Sequence, residues 1–189
     1  RLEALDEGLW AFVSTPLSGD YTTVCNGGIV AGREGVLVVE AFQTQEGARW
    51  MAEKARELTG RWPTHVLVTH YHSDHTGGAR GLLPDHDSGA GVETDPDRGG
   101  VELRVTPTTL NLKKERSRPD ADETGLRPWT DAVLVAEDVP TSLSLGDRSI
   151  RIHPRDGHTP SDVTLELQEE SIIWCGDLVW NGMFPNYMD

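Results

Sequence analysis

The sequence predicts a mixed α/β fold, and two observations lead there. Short apolar runs of strand length recur along the chain, Val36-Leu37-Val38-Val39-Glu40 being the clearest. Between them lies Gln45 to Leu58, where Ala48, Met51, Ala52, Ala55 and Leu58 recur at helical spacing. A length of 189 residues fits a single domain with a sizeable core, on the prior of roughly 100–200 residues per domain.

Taken in order, Gly8 to Ser14 reads as the first strand and Thr22 to Val30 as the second. The third, Val36 to Glu40, follows the turn-forming Gly32-Arg33-Glu34-Gly35. The helix stops at Thr59-Gly60, and Pro63 leads into the buried strand His65-Val66-Leu67-Val68-Thr69. Pro84 to Gly100 is rich in Asp and Gly and nearly free of apolar groups, so it reads as a mobile surface loop with His86 solvated in it. Val101 to Val105 reads as a strand and Pro107 to Arg116 as a short helix, with Lys113-Lys114-Glu115-Arg116 on a solvated face. Ser117 to Asp131 is loop-like, with Trp129 expected as a contact at a cleft rim. Val133 to Ala136, Thr141 to Leu145, Ser149 to His153, Val163 to Leu167 and Ile172 to Cys175 complete the strands. His65 and His153, on strand-like segments, read as hydrogen-bonded structural residues. No internal repeat is visible.

The chemistry concentrates at residues 69–78, Thr-His-Tyr-His-Ser-Asp-His-Thr-Gly-Gly. His70, His72, Asp74 and His75 are four metal-competent side chains in six positions, and imidazole and carboxylate suit zinc and similar divalent ions. A polar loop that happens to be His-rich is the bland alternative, but three of the chain's seven histidines lie here. In extended chain His70 and His72, two apart, point the same way and can share one ion. Asp74 and His75 lie past the bend and can face a second. Gly77 and Gly78 suggest a tight turn or close packing. Downstream, Gly157-His158-Thr159-Pro160-Ser161-Asp162 follows one strand, and Gly176-Asp177 ends another, each with a ligand-type residue just past a strand.

His-x-His-x-Asp-His followed in this order by His158 and Asp177 resembles the metallo-β-lactamase superfamily, over essentially the whole chain. The resemblance implies a four-layer αββα sandwich of two βα halves packed sheet to sheet. It implies His70, His72 and His158 as a three-histidine site, Asp74 and His75 as ligands of a second site, and Asp177 as the carboxylate bridging the ions. The implied cofactor is zinc, one ion or two, with iron possible because dioxygenases share the fold and part of the ligand set. Three histidines leave a fourth zinc position for water, whose pKa falls to about 7, so hydroxide is the expected nucleophile. Asp74 is expected to orient it or shuttle its proton. The activity implied is hydrolysis of a β-lactam, lactone or other ester-like bond in a small molecule, without a covalent intermediate; Gly-x-Ser-x-Gly is absent. An iron dioxygenase and a metal-binding fragment without turnover are the alternatives. Asp162 is expected to support a ligand by accepting its other N–H. Cys175 is weighed as a ligand, but Asp177 holds the matching position.

Two departures matter. Thioester hydrolases of the superfamily carry Gly-His-Thr-x-Gly-His, where this chain has Pro160-Ser161-Asp162, and their Gly-Cys-Gly-Arg-like run is replaced by Asn181-Gly182-Met183-Phe184. The further histidine that completes the second site in relatives has no counterpart, since none follows His158. The apolar close at 181–189, with no helix after it, leads to the expectation of a chain cut short, lacking its last strands and helix, rather than a natural variant with a weakened second site. Arg1 in place of an initiator methionine points to a processed or trimmed start.

The charge bounds the partners. Seventeen basic and 31 acidic residues give a net charge of −14, which repels phosphate backbones and argues against nucleic acid. No apolar run approaches membrane-spanning length, so a soluble protein is expected, in a compartment and oligomeric state the sequence leaves open. Cys25 and Cys175, the only cysteines, read as buried thiols rather than a disulfide.

Overall fold

Val36 to Val39 explains the architecture, because its side chains are buried on both faces. Val36 and Val38 face one hydrophobic core and Leu37 and Val39 another. A strand buried on both sides reads as a continuous apolar run rather than an alternating one. The computed structural model describes residues 1–15, 19, 23–84, 97–116 and 128–181. The expectations for His86, most of the 84–100 loop and the segment 182–189 fall outside these residues.

The strands are β1 (Leu2–Asp6), β2 (Leu9–Phe12), β3 (Gly27–Ala31), β4 (Val36–Val39), β5 (His65–Leu67), β6 (Glu102–Val105), β7 (Val133–Leu134), β8 (Thr141–Ser144), β9 (Ser149–Pro154), β10 (Val163–Leu167) and β11 (Ile172–Trp174). The helices are α1 (Gln45–Thr59), the single turn α2 (Ser73–Thr76) and α3 (Pro107–Arg116), with short 3-10 turns at Ala79–Leu82 and Gly176–Leu178. One sheet has seven strands in the order β1 to β7, antiparallel up to β4 and parallel from β4 to β7. The other has, among the described residues, four antiparallel strands in the order β11-β10-β9-β8.

The inter-sheet core joins Leu9, Leu37, Val39 and Leu67 of the first sheet to Ile150, Ile152, Val163 and Leu165 of the second. In β9, Ile150 and Ile152 are buried while Ser149 and Arg151 are exposed, the alternation of a sheet with one face in the core. Across the first sheet, Ala48, Met51, Ala52 and Ala55 of α1 pack on Ile29, Val36, Val38 and Val66. Thr44 caps α1, its hydroxyl accepting from the Gly47 N–H at 3.0 Å, and Gly60 at φ 74° ends it in the left-handed region. These are the helix, sheet and sheet layers of the expected sandwich. A helical layer on the far side of the second sheet is not seen among the described residues.

Several boundaries differ from the sequence reading. β1 was not anticipated, and β3 begins at Gly27 rather than Thr22. Trp129 is not at a cleft rim: it is 2% exposed and belongs to the core under the first sheet. Cys25 and Cys175 are free thiols, the first buried and the second half-buried. His65 lies beside the Thr64 hydroxyl at 2.7 Å and His153 beside Glu166 at 2.8 Å, so both are held structurally. No helix among the described residues is long and apolar enough to cross a membrane.

Candidate metal centre

Four chain segments deliver the site, each leaving a strand at the same end of the two sheets. β5 runs on through Val68 and Thr69 to His70 and His72, then turns into α2, which carries Asp74 and His75. The β9–β10 turn carries His158 and Asp162, and the 3-10 turn after β11 carries Asp177. β4 ends in Glu40. The Val163 N–H donates to the Thr69 carbonyl at 2.9 Å, which ties the second sheet to the ligand-bearing strand. Gly77 and Gly78 allow α2 to press on the β4–α1 connection: a Cβ on either would stand 2.3 Å from a backbone oxygen, of Gln43 or Thr44. Close packing, not a positive φ, is what those glycines serve.

Three imidazole nitrogens converge. His70 Nε2 is 3.1 Å from His72 Nδ1, and His158 Nε2 is 3.0 Å from the same atom. Tetrahedral ligands at about 2.0–2.1 Å from zinc stand ~3.3 Å apart, close to this spacing. A second group, His70, His75 and Asp177, has its donor atoms within 4.8 Å of one another. Asp177 spans the two, with Oδ1 3.2 Å from His75 Nε2 and Oδ2 3.7 Å from His158 Nε2. Asp74 stands at the rim of the second group, its Oδ2 3.5 Å from His75 Nε2.

Glu40 organises this cluster, and sequence reasoning missed it. It is 2% exposed and adopts φ 79°, a left-handed conformation costing an ordinary residue of order 1–3 kcal/mol. The Thr69 hydroxyl donates to Glu40 Oε1 at 2.5 Å and the Thr69 N–H to Oε2 at 3.2 Å. With its proton committed to the carboxylate, Thr69 Oγ1 is left to accept from His70 Nδ1 at 3.1 Å. That fixes the tautomer that turns the Nε2 lone pair into the site. Glu40 Oε1 also lies 3.1 Å from His75 Nδ1. The only sequence signal for this role is an acid closing the apolar run Val36–Val39.

Asp162 supports a ligand too, though not through the ring N–H expected. Its Oδ2 accepts from the backbone N–H of His158 and of Thr159, both at 2.8 Å, and Oδ1 from the Thr159 hydroxyl at 2.7 Å. It shapes the turn that carries the imidazole. Cys175 belongs to neither ligand group.

The electrostatics suit a cation. Burial, then the neighbouring imidazoles of His75, His72 and His158, holds His70 far below the usual histidine range, so it is a neutral donor. His72 is lowered for the same reasons. At His75 burial opposes charge, but the carboxylates of Glu40 and Asp177 outweigh it and raise the imidazole to about 10. Burial raises Asp177, but the adjacent histidines, His75 foremost, outweigh it and its carboxyl is lowered. Both His75 nitrogens are buried without an aligned hydrogen bond, the carboxylate contacts being ion-pair distances only. Positive charge is therefore favoured at His75, between two carboxylates, while the neutral imidazoles of His70 and His72 offer lone pairs, and a metal ion fits the donor set.

Of the solvated face expected for Lys113 to Arg116, Lys114, Glu115 and Arg116 are exposed as expected, while Lys113 is half-buried. Lys113 Nζ donates to the Thr76 hydroxyl of α2 at 3.0 Å and stands 5.6 Å from the Trp129 ring centre. The Arg116 guanidinium lies 4.5 Å over the ring of Tyr71, the residue between His70 and His72 in sequence. Both basic residues face the ligand turn.

Known proteins resemble this chain in family and fold. A hydroxyacylglutathione hydrolase from Anaeromyxobacter dehalogenans is 30% identical over 119 residues, 60% of this chain and 34% of the relative. The 2,4-dinitroanisole O-demethylase subunit alpha of a Nocardioides species is 23% identical over 182 residues, 94% of this chain and 48% of the relative. The chain thus spans 34% and 48% of the length of these curated relatives. A solved metallo-β-lactamase from Hirschia baltica superposes with a TM-score of 0.63 at 20% identity, covering 92% of this chain and 68% of that one, a likeness of fold. The profile of the metallo-beta-lactamase superfamily matches residues 20–189, so the chain belongs to that superfamily.

Proposed function

We propose that this chain carries the metal centre of a zinc-dependent hydrolase acting on ester-like bonds of small molecules. The observation that supports this most is the convergence of His70 Nε2, His72 Nδ1 and His158 Nε2 within 3.0–3.1 Å contacts, beside a carboxylate that reaches a second donor group. His70, His72 and His158 would hold the tighter ion. Asp74, His75 and Asp177 would hold a second and weaker one, with Asp177 between the two. Such an ion supplies Lewis acidity and lowers the pKa of a coordinated water to about 7. Glu40 and Thr69 hold the His70 ring in its donor orientation, and Asp162 holds His158. Asp74, part-exposed at the rim, would accept and pass on a proton during attack on the substrate. Fold and ligand set do not choose the bond cleaved. β-Lactams and lactones head the panel; the names of the two relatives add a hydroxyacyl thioester and 2,4-dinitroanisole.

Metal analysis during graded chelation tests the site. One ion should leave before the other, and His72→Ala should lose about one equivalent, since three protein ligands define the tighter site. Iron near one equivalent with oxygen uptake would replace zinc hydrolysis by dioxygenase chemistry. Undiminished metal in His72→Ala would remove the assignment.

A further inference from the structure

A cleft of about 270 Å³ opens beside the ligand cluster, lined by Tyr71, His72, Ser73, Leu112, Lys113 and Arg116. His72 belongs to both cleft and cluster, so whatever occupies one abuts the other. The volume is just below the range of roughly 300–1,000 Å³ for pockets holding drug-sized ligands, and suits one substituent of a substrate. Two cations line it on adjacent turns of α3, in a chain whose net charge is −14.

The cations are fixed rather than loose. The Thr76 hydroxyl and the Trp129 ring position the Lys113 ammonium, and Tyr71 stacks beneath the Arg116 guanidinium. Stacking uses the face of a guanidinium, whereas anions are bound at its N–H edge. Tyr71 is 4% exposed, and its phenolic oxygen is buried without a hydrogen-bond partner among the described residues. Leu112 gives the cleft an apolar wall.

We infer that this cleft is a subsite for an anionic oxygen group, a carboxylate or a phosphate monoester, carried on the substrate away from the bond that is cleaved. The inference rests on the hydrolase reading above. It deepens that reading by making the preferred substrate an anion, recognised by Lys113 and Arg116 while His72 and its partners face the reacting bond. The acidic remainder of the surface would repel the same anion elsewhere, so the cleft is where it settles.

Two measurements test this. Calorimetric titration at fixed ionic strength with succinate, with inorganic phosphate and with neutral succinamide reads binding without turnover. One of the anions should bind and succinamide should not. Arg116→Gln should weaken that binding about tenfold, as expected for a lost charge-assisted hydrogen bond, and Arg116→Glu further still. Arg116 is exposed, so both variants should fold, checked by circular dichroism. Preference for succinate marks a carboxylate and preference for phosphate a phosphoryl group. Separately, the metal-loaded protein is assayed on 4-nitrophenyl hemisuccinate and neutral 4-nitrophenyl butyrate, and Arg116→Gln should lower the ratio of their kcat/KM values. Turnover of both esters with no dependence on residue 116, or anion binding equal in wild type and Arg116→Glu, would overturn the subsite and leave the hydrolase reading standing. Anion binding lost in Arg116→Glu, with neither these esters nor any β-lactam, lactone or thioester of the panel cleaved, would keep the subsite and remove the hydrolase.

Discussion

Asp74 is the residue where occupancy and turnover can be separated. Its side chain is 35% exposed and contacts the second donor group, not the three-nitrogen set. Asp74→Asn keeps the size and removes the proton acceptor. Turnover should fall by at least about a hundredfold, the lower end for proton-transfer roles, while the tighter ion stays. Full rate on any substrate that wild type cleaves would rule out the proposed role. Glu40 makes the complementary case, because it touches no substrate yet holds Thr69 and faces His75. Glu40→Gln places an amide where a carboxylate is needed, so a buried partner loses its match at a cost of about 1–3 kcal/mol. Thermal unfolding should show that loss, and the second ion should be released at lower chelator concentration than in wild type. An unchanged melting profile and metal content would leave Glu40 without the positioning role given to it.

At the scale of elements, the ligand turn is shaped by close packing. α2 and the 3-10 turn after it lie against the backbone of the β4–α1 connection. A Cβ at Gly78 would meet the Thr44 oxygen at 2.3 Å and the Ala41 oxygen at 2.4 Å, with no flexible side chain to yield. Gly78→Ala should therefore cost about 1–3 kcal/mol in chemical denaturation, in the range of overpacking, although its φ of −88° is open to alanine. Equal stability would show that the two segments separate freely. Which elements the sequence reveals follows from the same physics. α1 was legible almost to the residue because Ala48, Met51, Ala52 and Ala55 repeat on one face. β1 was not, because Leu2–Asp6 is an edge strand with only its first two residues half-buried, and pairing with β2 rather than pattern makes it a strand. α2 is four residues long, too short to display a period. Trp129 lay hidden because a single aromatic in a polar stretch carries no periodicity to mark it as core. The partial burial of Lys113 was missed for another reason: spacing shows which helix residues share a face, but not what stands opposite.

The described residues of the whole molecule form two cores, and the proposed site lies beside the inter-sheet one. The histidines and aspartates of the proposed site stand out in the sequence because each follows a strand, and strand ends are where an α/β fold gathers its chemistry. Glu40, Thr69 and Asp162 form the support behind them, and their detailed contacts needed three-dimensional proximity to be seen. Leu165 lies at 0% exposure between the sheets. Leu165→Ala should cost about 2–5 kcal/mol, as burying a cavity there does elsewhere. Because β10 follows the His158 turn directly, metal affinity should fall with it. Loss of stability with unchanged affinity would uncouple the sheet interface from the site. The pairing of His72 with His158, 86 residues apart, also bears on the order of assembly. A nascent chain that has released only its first half offers His70 and His72, a two-point perch for an ion. The third point arrives when the second sheet docks, and capture of the ion then closes an 86-residue loop whose entropy grows only slowly with length. Firm metal uptake at the proposed site would therefore be a clock for the completion of folding, and the ion a clasp holding the halves shut.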